Sequence, residues 1–227
     1  IKMANSVGSV KPIVTDGLEI CLDPLDIDSY SRSGTVVSNL VSSTTGSLIN
    51  GPTFNSEGYF ELDGSNDYID LGYVDLSEYA DGITVNFWCQ IHDDGNNPIF
   101  NKYASQNTGI WFETGNEVGF YGASSGWSGI NPITCNDQVG LNKWMNIACT
   151  YNKTAMKIYY AGVEQASHNK TGDMVDVNNR DLRIGSLEGV GGWMFKGKVA
   201  HYLVYSRGLT ADEVLQNFNA HKSRFGL

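Results

Sequence analysis

Basic residues are scarce in this chain: 15 lysines and arginines stand against 25 aspartates and glutamates, a formal net charge of −10. They form no stripe, which excludes the electrostatic footprint of a nucleic-acid binder. The acidity reads as a solvated surface before it reads as a cation site. Long apolar runs are missing as well, so neither a transmembrane helix nor a leader pattern is expected, and no membrane insertion. Cysteine is sparse. Cys21, Cys89, Cys135 and Cys149 include no C-x-x-C pair and have no histidine spaced for a zinc knuckle. A chain of 227 residues buries enough core to need no disulfide. Four free thiols are expected, with Cys89 and Cys149 buried on apolar strand faces.

Catalytic motifs are absent too. There is no G-x-S-x-G elbow, and the glycine-rich Gly185–Gly192 carries no phosphate-loop Lys-Ser/Thr. Glycoside hydrolysis needs two carboxylates flanking one bond. The nearest pair, Glu113 and Glu117, flanks a hairpin turn at Gly115-Asn116 and falls on two strands. The chain is therefore read as not an enzyme.

What the sequence does have is alternation. The stretch from Leu182 to Phe218 organises the rest. Its strand places Val199, His201, Leu203 and Tyr205 on one face and Ala200, Tyr202 and Val204 on the other, apolar on both, as in a central strand. A short helix follows, with Thr210 and Glu213 spaced as a capping box and Leu209 and Val214 as a hydrophobic staple. Val214, Leu215 and Phe218 are its expected apolar stripe.

Upstream, residues 1–15 lack periodicity and read as an arm or linker, leaving 16–227 as one domain. Leu18–Leu22 reads as the first strand, and 23–50 as irregular. Tyr59–Asp63 and Tyr68–Leu71 flank Gly64–Asp67 as a hairpin or tight corner. Ile83–Ile91 alternates most cleanly. Strands are expected at 98–103, 109–114, 117–122, 144–151 and 156–160. Residues 122–142 read as a long loop, and 164–179 as a polar stretch. Many short strands with one terminal helix predict an all-β fold: an antiparallel two-sheet β-sandwich in jelly-roll order with one short C-terminal helix.

The quoted residues also carry a family likeness. Tyr59-Phe-Glu-Leu-Asp-Gly-Ser-Asn-Asp-Tyr-Ile-Asp-Leu71 resembles the corner of laminin-G-like jelly-roll domains, in the concanavalin A-like lectin/glucanase superfamily. Ile83–Gln90, Trp144–Tyr151 with Met156–Gly162, and Tyr205-x-Arg-x-Leu-x-x-x-Glu213 resemble three further motifs in the family's order. Asn146 and Ala161 depart from its usual residues. Gly17–Asp23, Asp28–Tyr30, Asn50–Phe54 and Asn219–Gly226 resemble such modules in tailed-phage virion proteins. That likeness implies a non-catalytic, lectin-like module on a bacteriophage virion surface. The partners it implies are other virion proteins, further copies of the chain in a homo-oligomer, and a host surface glycan. The alternatives are a purely structural virion protein and a secreted or cell-surface carbohydrate-binding or adhesion module. No cofactor is firmly implied. Calcium stays open, because the pentraxin relatives' ligand positions fall at Gln106-Asn107 and Glu188, where one carboxylate remains.

Saccharide recognition needs aromatic planes for sugar faces and amide or carboxylate groups for hydroxyls. Loops, not strands, have side chains free to aim. The expected glycan-binding residues are Trp127, Trp193, Tyr121, Asp94, Asn96, Asn107, Asn131 and Glu188. Loops 93–97, 103–108, 121–131 and 186–193 are expected to converge at one end of the sandwich.

Overall fold

A computed structural model describes residues 11–79, 81–102, 109–113, 117–121, 133–135, 140–173, 180–187 and 193–227. Its strands in chain order are β1 (Leu18–Leu22), β2 (Val36–Ser38), β3 (Thr45–Ile49), β4 (Thr53–Asn55), β5 (Tyr59–Asp63), β6 (Tyr68–Tyr73), β7 (Ile83–Ile91) and β8 (Asn97–Asn101). They continue with β9 (Gly109–Glu113), β10 (Glu117–Tyr121), β11 (Ile133–Cys135), β12 (Met145–Tyr151), β13 (Ala155–Tyr160), β14 (Val163–Asn169), β15 (Asp181–Ile184) and β16 (Lys196–Tyr205). One sheet runs β14-β13-β12-β7-β16-β5-β4, with β1 beside the second half of β16. The other runs β11-β10-β9-β8-β15-β6-β3-β2. Neighbouring strands are antiparallel, and the two sheets stack as a sandwich with a single short C-terminal helix, α1 (Ala211–His221).

Alternation builds the core. Ile83, Val85, Phe87, Cys89 and Ile91 of β7 point between the sheets, opposite Ile99, Phe112, Val118 and Ile184 of the other sheet. Tyr202 stacks on Phe87 with ring centroids 5.7 Å apart. All four cysteines are free and buried, Cys89 and Cys149 at 0% exposure. Burial holds both of these thiols well above their ordinary pKa, so they act as small apolar groups.

Several expectations are corrected. The polar stretch 23–50 contains β2 and β3, whose inward residues are only Val37, Leu48 and the side-chain-free Gly46. Residues 122–142 contain β11, and 164–179 contain most of β14, an edge strand largely exposed on both faces. An edge with no buried face has no apolar period to read. Tyr59–Asp63 and Tyr68–Tyr73 form a corner, because β5 joins one sheet and β6 the other. In β16 the register shifts between Val199 and Tyr202. This bulge turns both Ala200 and His201 outward, so Val199 faces inward with Tyr202 and Val204.

The helix closes over the outer face of the β16 sheet. Its capping box forms: the Thr210 Oγ1 accepts from the Glu213 N–H at 3.4 Å, and the Glu213 carboxylate accepts from the Thr210 N–H at 2.8 Å. Leu209 and Val214 bury together with Leu203 and Tyr205. Leu215, expected in the stripe, is 41% exposed. Its place is taken by Asn217, 1% exposed, one helical step from Val214. Asn217 Oδ1 accepts from the Val14 N–H at 2.8 Å, and its Nδ2 donates to the Tyr205 hydroxyl at 2.9 Å. That hydroxyl donates to the Val14 carbonyl at 2.9 Å. Residues 12–14 of the expected arm are thus tied to α1 and β16, with Gln216 also donating to the Pro12 carbonyl.

Arg207 gives the Tyr205-x-Arg-x-Leu-x-x-x-Glu213 motif its physical meaning. Its guanidinium forks onto Glu213 at 3.0 and 2.7 Å and reaches the Asp16 carboxylate at 3.0 Å, joining the start of β1 to the first turn of α1. The Arg207 bonds, helped by Thr210, bring the Glu213 pKa down to about 2. Because the folded pKa is depressed, this stabilisation is complete above the ordinary value of 4.5 and is lost as pH falls toward about 2. Glu213→Gln is expected to cost about 2 kcal/mol near neutrality. In urea titrations the gap from the parent chain should close in acid.

Candidate functional site

The expected site residues that are described fall into two groups. β8 runs away from the loop that carries Asp94 and Asn96, and Gly109 of β9 sits opposite Asn101 at its far end. The 186–193 segment leaves β15 at the near end, whereas 103–108 and 122–132 leave β8 and β10 at the far end. Four residues of strand, about 13 Å, separate the two ends. Asp94, Asn96 and Trp193 therefore share the near end, and Tyr121 lies at the other. Asn107, Trp127, Asn131 and Glu188 lie outside the described residues.

At the near end Asn97 shapes the loop. Its Nδ2 donates to Asp93 Oδ1 and to the Gly95 carbonyl, both at 2.9 Å, and its Oδ1 accepts from the Lys196 N–H at 2.8 Å. The Lys196 carbonyl in turn accepts from the His92 N–H at 2.9 Å. Trp193 is half-buried, and its carbonyl accepts from the Leu187 N–H at 3.3 Å. Asp94 is exposed and Asn96 half-buried. Asp93 is thus already engaged in holding its own loop. Among the described residues no group of three His, Cys, Asp or Glu side chains could hold a metal ion, and no helix is long and apolar enough to cross a membrane.

The far end carries a concave site that the sequence did not single out. A cleft of about 310 Å³ opens between β1, the β2–β3 turn and the end of β6. Ile20, Leu22, Leu71, Val74 and Tyr79 give it an apolar floor, and Glu19, Asp75, Glu78, Ser42, Thr44 and Tyr73 ring it. Local bonds set each wall. Asn39 anchors the β2–β3 turn: its Oδ1 accepts from the Cys21 N–H at 2.9 Å, and its Nδ2 donates to the Glu19 carbonyl and Ser42 Oγ at 2.8 Å. Asp75 caps the 3-10 turn Leu76–Glu78 by accepting from the Ser77 N–H at 2.9 Å. Glu19 accepts from Ser206 Oγ at 2.9 Å. Burial, with Glu19 and Glu78 adding, holds the Tyr79 phenol well above its usual pKa, so it stays a neutral hydroxyl. Tyr73 is 50% exposed, and Lys102 Nζ lies 4.2 Å from its ring centroid. The cleft joins an aromatic ring and an apolar floor to a rim rich in acceptors. That combination suits a ligand with a CH face and several hydroxyl donors. The missed signal was Tyr73-Val-Asp-Leu-Ser-Glu78, an aromatic just beyond a strand followed by a capping aspartate.

Solved structures resemble this fold. The binding domain of Paraclostridial Mosquitocidal Protein 1 matches with a TM-score of 0.72 at 17% identity, over 90% of this chain and 52% of that one. The binding domain of Botulinum Neurotoxin DC, described in complex with SialylT, matches with a TM-score of 0.70 at 12% identity, over 90% and 52%. This chain thus spans about half the length of those toxin domains. Domain 4 of AbnA, an extracellular arabinanase from Geobacillus stearothermophilus described in complex with arabinotriose, matches with a TM-score of 0.59 at 20% identity, over 88% and 97%. At these identities the likeness is one of fold. No curated protein matches the sequence. The family model described as the concanavalin A-like lectin/glucanases superfamily matches residues 63–215. That span, from the corner after β5 into α1, is more than half of the chain, which belongs to this superfamily.

Proposed function

We propose that the protein is a non-catalytic carbohydrate-binding module, secreted or displayed on a surface, that takes a saccharide in the Glu19–Tyr73–Tyr79 cleft. The observation that carries this reading is the pairing of an apolar floor and a half-exposed tyrosine with a rim of carboxylates and hydroxyls. A sugar would lay its CH face over Tyr73 and Leu71 and donate its hydroxyls to Glu19, Asp75 and Glu78. Tyr121, at the far end, is proposed together with Asn107, Trp127 and Asn131 as an extension of the binding surface. Asp94, Asn96 and Trp193, at the near end, are proposed with Glu188 as a separate contact. One cleft of this size gives modest affinity, so useful attachment would come from several copies acting together.

The virion setting is kept as a second reading. It rests on the phage-like motifs at Gly17–Asp23, Asn50–Phe54 and Asn219–Gly226, and finding the chain in purified particles would support it.

The binding test is a glycan array followed by calorimetric titration of the best saccharide. Tyr73→Ala is expected to weaken binding at least tenfold, roughly 1.4 kcal/mol, with unchanged melting. Normal affinity in Tyr73→Ala together with loss in Trp127→Ala would move the site to the 122–132 loop. Binding to no saccharide on the array would overturn the reading.

A further inference from the structure

The segment after Asn217 lies on the outer face of the β16 sheet. It covers an aromatic surface there. Phe218 and Phe225 stack on Trp88 with centroids 5.7 and 4.1 Å away and planes within 17° and 14°. Phe225 also packs on Trp144 at 4.8 Å, and Trp144 on Tyr59 at 5.6 Å. Beside this surface, where the β16 bulge turns it outward, His201 is only 4% exposed and its ring centroid is 4.0 Å from that of His221. Two imidazoles this close and this buried repel one another once both are protonated.

The charges around the pair come from several elements. Arg224, in the 3-10 turn Lys222–Phe225, donates to both oxygens of Asp23 at 2.9 Å and to the Gly58 carbonyl at 2.7 Å. Asp23, just beyond β1, is the one carboxylate among the charges acting on His221, and Arg224 already occupies it. Lys222 lies 5.7 Å from the Phe218 ring, and Lys198 lies 4.8 Å from the Tyr59 ring on the same face. A proton arriving here meets another imidazole and a guanidinium, while the nearby carboxylate, Asp23, is already held by Arg224, and Glu61, opposite Lys198 on the same face, lies 3.7 Å from His92.

We propose that residues 218–227 are an acid-released clasp: protonation of His201 and His221 lifts them from the sheet and bares Tyr59, Trp88 and Trp144. The earlier part of α1 stays in place, held by its capping box, the Arg207 fork and Asn217. Burial first, and then the neighbouring cations, hold His201 well below the ordinary 6.5. His221 is lowered by burial and by Arg224, with Asp23 opposing. Both folded values are depressed, and for a histidine that makes the released state the one that binds the extra protons. The clasp is at full strength above pH 6.5 and weakens as pH falls from there toward the lowered values. The inference is independent of what the cleft binds.

Hydrogen exchange of the full chain at pH 7 and pH 5, corrected for intrinsic rates and resolved by peptide, tests it. Peptides spanning 218–227 are expected to lose at least tenfold protection at pH 5, while β7 and β12 peptides keep theirs. The double variant His201→Leu/His221→Gln should hold the clasp at both pH values. Its intact His92 and His168 serve as the background. Should that variant not fold, His221→Gln alone should move the loss of protection to lower pH. Three results would each overturn the proposal: a parent clasp protected at pH 5, simultaneous loss in the strands, or an unaltered acid response in the variant that folds.

Discussion

Gly82→Ala is expected to destabilise the protein by about 2–6 kcal/mol, the sum of a strained backbone and an overfilled contact. Gly82 holds φ at +102°, and a Cβ there would overlap the Tyr151 carbonyl. Tyr151 pairs with Ile83 where β12 meets β7, so the residue next to Gly82 opens the seven-pair ladder between these two central strands. Gly208 approaches the same carbonyl from the β16–α1 turn. Thr84 locks that turn, donating to the Arg207 carbonyl and accepting from the Leu209 N–H, both at 2.8 Å. A methyl group at Gly82 therefore presses on Tyr151–Asn152, the segment that Gly208 of the β16–α1 turn also abuts. Gly34→Ala is the control: φ is +81° but nothing lies within 4 Å of its Cβ, so only the backbone cost, about 1–2 kcal/mol, is expected. Equal losses in thermal melting for the two variants would mean that the close approach at Gly82 is relaxed without cost.

Trp88→Ala should cost about 3–5 kcal/mol. Trp88 is 1% exposed although it points away from the inter-sheet core, because Phe218 and Phe225 cover it from the C-terminal segment. Truncation removes the platform for both rings at once. The Ala variant should lose protection in residues 218–227 even near neutrality, and Trp88→Phe should recover much of the stability by restoring one stacking partner. Urea titration with peptide-resolved exchange measures both. A loss confined to global stability, with the C-terminal segment still protected, would mean that the stack contributes little to docking.

Regularity of burial decided what could be read from residues alone. β7 and β12 each bury one face completely and β13 most of one, and their period of two is plain in the sequence. The capping box and the Leu209–Val214 staple are local chemistry, and they form as read. β14 has no buried face, and β2 and β3 show two inward apolar side chains between them, so they were illegible. The bulge in β16 costs a single residue and leaves no compositional trace, yet it moved Val199 and Ala200 each to the face opposite the one that alternation assigned. The candidate site was less legible still. Its aromatic and acidic groups come from positions 19, 73, 75, 78 and 79, separated in sequence and joined by the stacking of one sheet edge on the other. The expected loops were grouped at one end of the sandwich, although β8 separates the ends from which they leave.

The position of β16 has a consequence for synthesis. It is the last strand in the chain and a central one in its sheet, bonded to β7, β5 and β1. Its partner pairs reach back from Tyr205 to Leu18. Translation adds roughly 5–20 residues per second, so for several seconds a ribosome carries β1, β5 and β7 with the slot between them empty. Among the described strands no earlier one pairs with both β5 and β7, and contacts of such sequence separation form slowly. Folding of the sandwich should therefore be triggered by emergence of β16 from the ribosome. A chain stalled before Lys196 should bind chaperones, and one extended well past Leu227 should release them.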